Sequence, residues 1–272
     1  MKKGRNYIAL MATLILLPAL NLIPSILMAE SNGDKVVGKG HLITSVPLTR
    51  NALDKIAMEG EYLYDTRDET DHADRAIRLY KKIIEVDPTN HEALWKLSRS
   101  YNWRGDMATS PGKKLAAYRA AMESAKKAIS LDPETIGGHL MLGISYGRIG
   151  ETKGVLTSLG LISMIKREMN IVLAKDPLNE IAHLVLGILY REVPPIYGGS
   201  LKKSIMVLKD AVRMNPHRTK HYLELAKSYL KEGEKEAAKR SLQRLFAITN
   251  PIDRVQTEID RIAADALLAS LS

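Results

Sequence analysis

Tyr222-Leu223-Glu224-Leu225-Ala226-Lys227-Ser228-Tyr229, followed by Gly233 and Ala238, is the stretch on which the fold turns. Leu225 and Tyr229 fall on one helix face, and the small Ala226 between them lets a second, antiparallel helix approach closely. The same arrangement stands three times upstream, as Leu97-Ser98 with Tyr101, Leu142-Gly143 with Tyr146, and Leu186-Gly187 with Tyr190. Each instance lies nine to thirteen residues beyond an acid or amide followed by proline: Asp87-Pro88, Asp132-Pro133, Asp176-Pro177 and Asn215-Pro216. Asn250-Pro251 closes the series, and the five prolines are 45, 44, 39 and 35 residues apart.

A period of this size marks a solenoid built from one repeated supersecondary unit. The second helix of each unit precedes its proline, as in Arg75 to Ile84, where apolar residues recur at three- and four-residue steps. Proline then ends that helix and begins the next unit. Leu, Ala, Ile, Lys and Glu dominate the chain, which has one Phe and two Trp, so propensity also favours helix. With 272 residues and 45% apolar content the chain buries a substantial core.

The pattern resembles the tetratricopeptide (TPR) consensus, and the final unit matches it nearly residue for residue. The resemblance implies an all-α, right-handed solenoid of about five helix pairs over residues 51–251, with residues 252–272 as a capping helix over the last repeat. The longer spacings place inserts at Asn102–Gly112, Gly150–Gly160 and Val193–Gly199. A narrower likeness lies in the inserts: Asn102-Trp103-Arg104-Gly105, Gly143 to Gly147 running on to Lys153-Gly154-Val155-Leu156, and Pro194-Pro195-Ile196-Tyr197-Gly198-Gly199-Ser200 with Lys202-Lys203. These are similar to a bacterial envelope TPR family related to the T-component of TRAP transporters and to eukaryotic regulators of microtubule dynamics. That likeness implies a non-enzymatic helper of an envelope or solute-binding system, although the lipid anchor of the T-component has no counterpart in a chain without cysteine.

Lys2, Lys3 and Arg5, an apolar run from Tyr7 to Leu17 and the exit Leu27-Met28-Ala29 have the layout of a secretory signal. Residues 1–29 then form a signal peptide, residues 30–50 a flexible lead-in, and the mature protein is periplasmic or secreted. An uncleaved anchor is the alternative, because Tyr7 to Ala29 is long enough to span a bilayer, although Pro18, Asn21 and Pro24 weaken that span. The absence of Cys excludes disulfides and thiolate metal sites. The net charge of +9, or +6 without Lys2, Lys3 and Arg5, is spread along the chain with no dense basic tract, which argues against a nucleic-acid partner.

Several motifs suggest chemistry and are better read as structure. Gly143-Ile144-Ser145-Tyr146-Gly147 matches a hydrolase nucleophile elbow, but the repeat register puts Ser145 mid-helix, where that strained turn cannot form. Arg104-Gly105-Asp106 is taken as loop. Asp65, Asp68, Glu69, Asp71, His72 and Asp74 lack Ca²⁺-loop spacing and read as a solvated turn with a helix N-cap. His139 and His183 recur three residues before the repeated Leu, more in keeping with packing between helices than with a metal pair. Ser200 after Gly198-Gly199 is either an ordinary N-cap or part of an anion site. The apolar stretch Val155 to Ile165 is a lengthened core helix, an oligomer contact or a lid over the groove.

Neither catalysis nor a cofactor is expected; the expectation is a binding groove. Positions two before the repeated Leu give an apolar floor of Trp95, Leu140, Leu184 and Leu223. Those two after give Arg99, Ile144, Ile188 and Lys227, and those five or six after give Asn102 and Trp103, Arg148, Arg191 and Lys231. Such a floor with a basic edge suits an acidic, amphipathic peptide or protein segment, or a small organic acid in a transport role.

Overall fold

The acid-or-amide before each proline builds the turn that joins one unit to the next. In the computed structural model, which describes residues 49–154 and 158–271, the side-chain oxygen of Asp87 accepts from Thr89 N at 3.1 Å, and the Asp87 carbonyl from Asn90 N at 3.1 Å. Asp132, Asp176 and Asn215 repeat the first bond with the amides of Glu134, Leu178 and His217. Proline supplies the extended preceding residue and removes the amide that would continue the helix. Three residues after Asp87, Asp132 and Asp176, a side-chain cap starts the next helix: Asn90 accepts from Ala93 N, Thr135 from Gly138 N and Asn179 from Ala182 N.

The described residues hold eleven α-helices: α1 (Arg50–Asp65), α2 (His72–Val86), α3 (His91–Met107), α4 (Pro111–Leu131), α5 (Ile136–Lys153), α6 (Leu159–Lys175), α7 (Glu180–Glu192), α8 (Leu201–Met214), α9 (Thr219–Glu232), α10 (Lys235–Phe246) and α11 (Arg254–Ala269). They pack in sequence as five antiparallel pairs, and α11 then lies against α9 and α10 in the place a sixth odd-numbered helix would take. Small residues close the pairs as the repeat requires. A Cβ on Gly187 would come within 2.5 Å of the Leu208 side chain, and Ser98 and Ala226 are fully buried in the equivalent slot.

The inserts are mostly absorbed by longer helices. Residues 102–107 continue α3, so Arg104-Gly105-Asp106 is helical rather than the loop expected from sequence. Arg104 pairs with Asp74 at 2.5 Å, and any side chain on Gly105 would overlap the Tyr118 ring. At Val193–Gly199 the chain makes a 3-10 turn, Pro195–Tyr197, and Gly198 takes a left-handed φ of 89°. Ser200 caps α8 through Lys203 N. The signal-peptide reading, residues 30–48 of the lead-in and residues 155–157 of the apolar stretch lie outside the described residues. No described helix is long and apolar enough to cross a membrane.

Candidate binding site

Curvature follows from which helices touch. Successive odd-numbered helices from α3 to α11 contact one another, whereas successive even-numbered helices barely do, so the odd set lines the inside of the curve and the even set the outside. The bend is strong enough for the two ends to meet. Arg67, in the turn after α1, donates to both oxygens of Asp253 at 2.8 and 2.7 Å, and Arg254 donates to both oxygens of Asp68 at 2.9 and 2.7 Å. The Arg67 guanidinium lies between the rings of Tyr64 and Trp103, 4.5 and 4.6 Å from their centroids. We refer to these two reciprocal ion pairs as the clasp.

Polar rungs cross the inner face from one unit to the next. Glu61 of α1 accepts from Tyr80 at 2.5 Å and twice from Arg99 of α3, at 2.8 and 2.9 Å. Burial alone would push its carboxyl up, but Arg99, Tyr80 and Lys96 hold it below the ordinary value. Asn102 of α3 donates to Ser145 of α5 at 3.1 Å, and Arg148 of α5 donates to Asp106 of α3 at 2.9 Å. Arg191 of α7 donates to the carboxylate of Glu224 at 2.6 Å and to its backbone carbonyl at 2.9 Å. Thr219 of α9 donates to Asp260 of α11 at 2.8 Å. Asp260 is fully buried, and that burial raises its carboxyl pKa.

The residues expected to form a floor and a basic edge are therefore distributed differently. Trp95 covers Gly137 at the start of α5. Leu140 and Ile144 pack half-buried against the α5, α6 and α7 core, while Leu184 and Ile188 join Leu208 and Leu225. Leu223 is 1% exposed, in a cluster that includes Ala264 of α11. Arg99, Arg148 and Arg191 spend their charge on carboxylates of neighbouring units; Lys227 pairs with Glu224, and Lys231 donates to the Arg191 carbonyl. Open space remains in two clefts that share Trp103 and Met107 as a wall. One, of about 630 Å³, lies between the α1–α2 turn and the α3–α4 pair; the other, of about 540 Å³, lies between the α3–α4 turn, the end of α5, Lys220 and α11. Of the thirteen expected groove residues these clefts take up Trp103 and Arg148. They add Met107, Tyr118, Lys220, Gln256 and Ile259, which no repeat position signalled.

The remaining motifs are structural. Ser145 is fully buried within α5, and its hydroxyl donates to the Met141 carbonyl at 2.8 Å, so it cannot act as an exposed nucleophile. His139 and His183 donate to the carbonyls of Pro133 and Pro177, six residues back, at 3.0 and 3.2 Å, and His139 also meets Glu168 at 2.6 Å. In the acidic turn, Asp68, Asp71 and Asp74 are each paired with an arginine, and Asp71 sits at the N-cap of α2 with φ 66° and no side-chain capping bond. No group of three His, Cys, Asp or Glu among the described residues is placed to hold a metal ion.

Comparison with known proteins gives a family and a fold. A family model described as regulator of microtubule dynamics protein 1-3 matches residues 57–197, from α1 through the 3-10 turn. The crystal structure of TTC0263, a thermophilic TPR protein in Thermus thermophilus, is similar at 20% identity, with 80% of this chain and all of that one covered and a TM-score of 0.62. That likeness shows the expected TPR solenoid. A fragment of MamA from Desulfovibrio magneticus RS-1 is similar more loosely, at 17% identity over 72% of this chain and 95% of that one, with a TM-score of 0.45. No curated protein matches in sequence.

Proposed function

The chain belongs to the regulator of microtubule dynamics protein 1-3 family, and from that premise we propose that it is an exported TPR scaffold that holds a polypeptide partner without catalysing a reaction. The observation that supports this best is the inner cleft walled by Trp103. Met107 is 51% exposed and Ile259 36%, so two exposed apolar side chains line a space that Arg148 and Lys220 also line. An apolar pair with a few polar groups of fixed geometry suits a short amphipathic segment. Because Arg148 is bound to Asp106 and Lys220 lies near Glu224 and Asp260, a carboxylate on the partner competes with internal ones and apolar contact carries more of the affinity.

A photo-crosslinking residue at Met107 or at Ile259 is expected to trap one and the same partner, and the same residue at Met206, on the outer helix α8, is expected not to. Different partners at Met107 and Ile259, or equal capture at Met206, would place the binding surface elsewhere. Export rests on the Lys2 to Ala29 layout. N-terminal sequencing of the protein recovered from outside the cytoplasm should begin at Glu30; an intact Met1 would favour the anchor. The 540 Å³ cleft also lies within the range of small-molecule sites, so a small organic acid, as in a transport accessory role, is the second reading. Calorimetric titration with dicarboxylates that showed saturable heat, lost in Met107→Glu, would favour it over a polypeptide.

A further inference from the structure

The positive charge, evenly spread along the sequence, is sorted by the fold. The outer helices α2, α4, α6, α8 and α10 carry 20 lysines and arginines against 6 acids, a net of +14. The inner helices α1, α3, α5, α7, α9 and α11 carry 13 against 14, a net of −1. Pairing follows the same division. Inside, Lys96, Arg99, Arg148, Arg191, Lys220 and Lys227 each have a carboxylate within 4 Å. Outside, 13 of the 20 cations have none among the described residues, including Lys82, Arg119, Lys127, Lys202, Lys209 and Arg240, all of them exposed. A folded surface of one sign repels itself, and that cost is relieved when a polyanion covers it.

We infer that the outer face is a second interaction surface, distinct from the inner cleft, and that it takes an extended acidic polypeptide. Curvature decides against a bilayer. A flat membrane meets a convex array along one or two ridges, and the others recede beyond the screening length of about 10 Å. Membrane insertion would also want an apolar wedge, whereas the large apolar side chains exposed on these helices are Met206 and, at helix ends, Val86 and Leu131. An unstructured chain follows the curve, because at about 3.3–3.6 Å per extended residue a few residues reach from one ridge to the next and the chain can bend at each.

The test is fluorescence anisotropy with a labelled poly-glutamate peptide, at low and at physiological salt, on the full chain. Binding that weakens with salt is expected, and Arg119→Glu with Lys127→Glu, or Lys202→Glu with Lys209→Glu, should each weaken it about tenfold. Arg50→Glu with Lys55→Glu makes the same change in net charge on α1, at two cations that also lack a carboxylate partner among the described residues. That control should stay within about twofold of the parent. Equal loss in the control would reduce the effect to net charge and overturn the assignment of a face. No peptide binding, or binding confined to phosphatidylglycerol vesicles, would overturn it as well. All these substitutions lie on the surface, so circular dichroism can verify that each variant is folded, and none touches Met107 or Ile259, so the inner-cleft reading stands or falls separately.

Discussion

Arg67→Ala is expected to lower stability by about 3 kcal/mol and to free α11 from the first unit, because it removes one partner of a buried ion pair. The residue is 5% exposed, makes two bonds to Asp253 and one to the Tyr64 carbonyl at 3.1 Å, and is stacked between two rings. Removing one side of such a pair costs about 3–5 kcal/mol when the other is stranded. The lower end applies because the Asp253 side chain stays 26% exposed and keeps its capping bond from Gln256 N at 2.9 Å. The companion pair is a useful contrast. Arg254 and Asp68 are 56% and 40% exposed, so solvent screens their attraction and Arg254→Ala should cost far less than Arg67→Ala. Urea unfolding measures the two losses, and hydrogen exchange locates them: amides of α11 should exchange ahead of those of α9 in Arg67→Ala alone. Equal losses in both variants, or unchanged exchange in α11, would mean that the clasp does not hold the ends together.

Acid should unfold the chain in two stages, and Glu224→Gln should erase the second. Burial alone would raise the Glu224 carboxyl, but Lys220, Lys227 and Arg191 outweigh it and hold it at about 2, below its ordinary 4.5. A depressed carboxyl contributes stability that is present above pH 4.5 and is lost as pH falls through 2. The difference corresponds to about 3 kcal/mol at neutral pH. His221 acts earlier. Burial and Arg218 lower it from 6.5 to about 4, so its contribution is present above pH 6.5 and fades as pH falls towards 4. Asp260 works in the opposite direction, since its raised carboxyl favours the folded state on acidification. Urea midpoints should therefore show the parent ahead of Glu224→Gln by about 3 kcal/mol at pH 7 and the gap closing towards pH 2. A gap independent of pH would show that Glu224 is not held as a charged group.

Local signals made the repeat legible. Asp87-Pro88 and its three closest counterparts each build the same side-chain-to-amide turn, and Leu-small-x-x-Tyr needs only helix geometry to predict a close-packed partner. The inner-side placement of the expected cations was legible and their pairing was not, and of the thirteen expected groove residues the two clefts take up Trp103 and Arg148. Helix geometry placed Arg99, Arg148 and Arg191 on the inner side, but the carboxylates that neutralise them, Glu61, Asp106 and Glu224, come from other units, at sequence separations of 38, 42 and 33 residues. Periodicity within one unit says nothing about such cross-unit partners. The same blindness hid the closure of the array: Arg67 and Asp253 are 186 residues apart and meet through curvature accumulated over every joint between them. The sorting of charge was hidden too, because outer and inner helices alternate along the chain and their opposite balances average out.

The clasp also makes the array count. An open solenoid tolerates the gain or loss of a unit, since each one leans only on its neighbours. Here Asp253 and Arg254 reach Arg67 and Asp68 only after a set number of turns. One helix pair more would carry the last helix past its docking point, and one fewer would leave it short of it. The circumference of the described array is therefore set by two ion pairs as well as by the repeats they join.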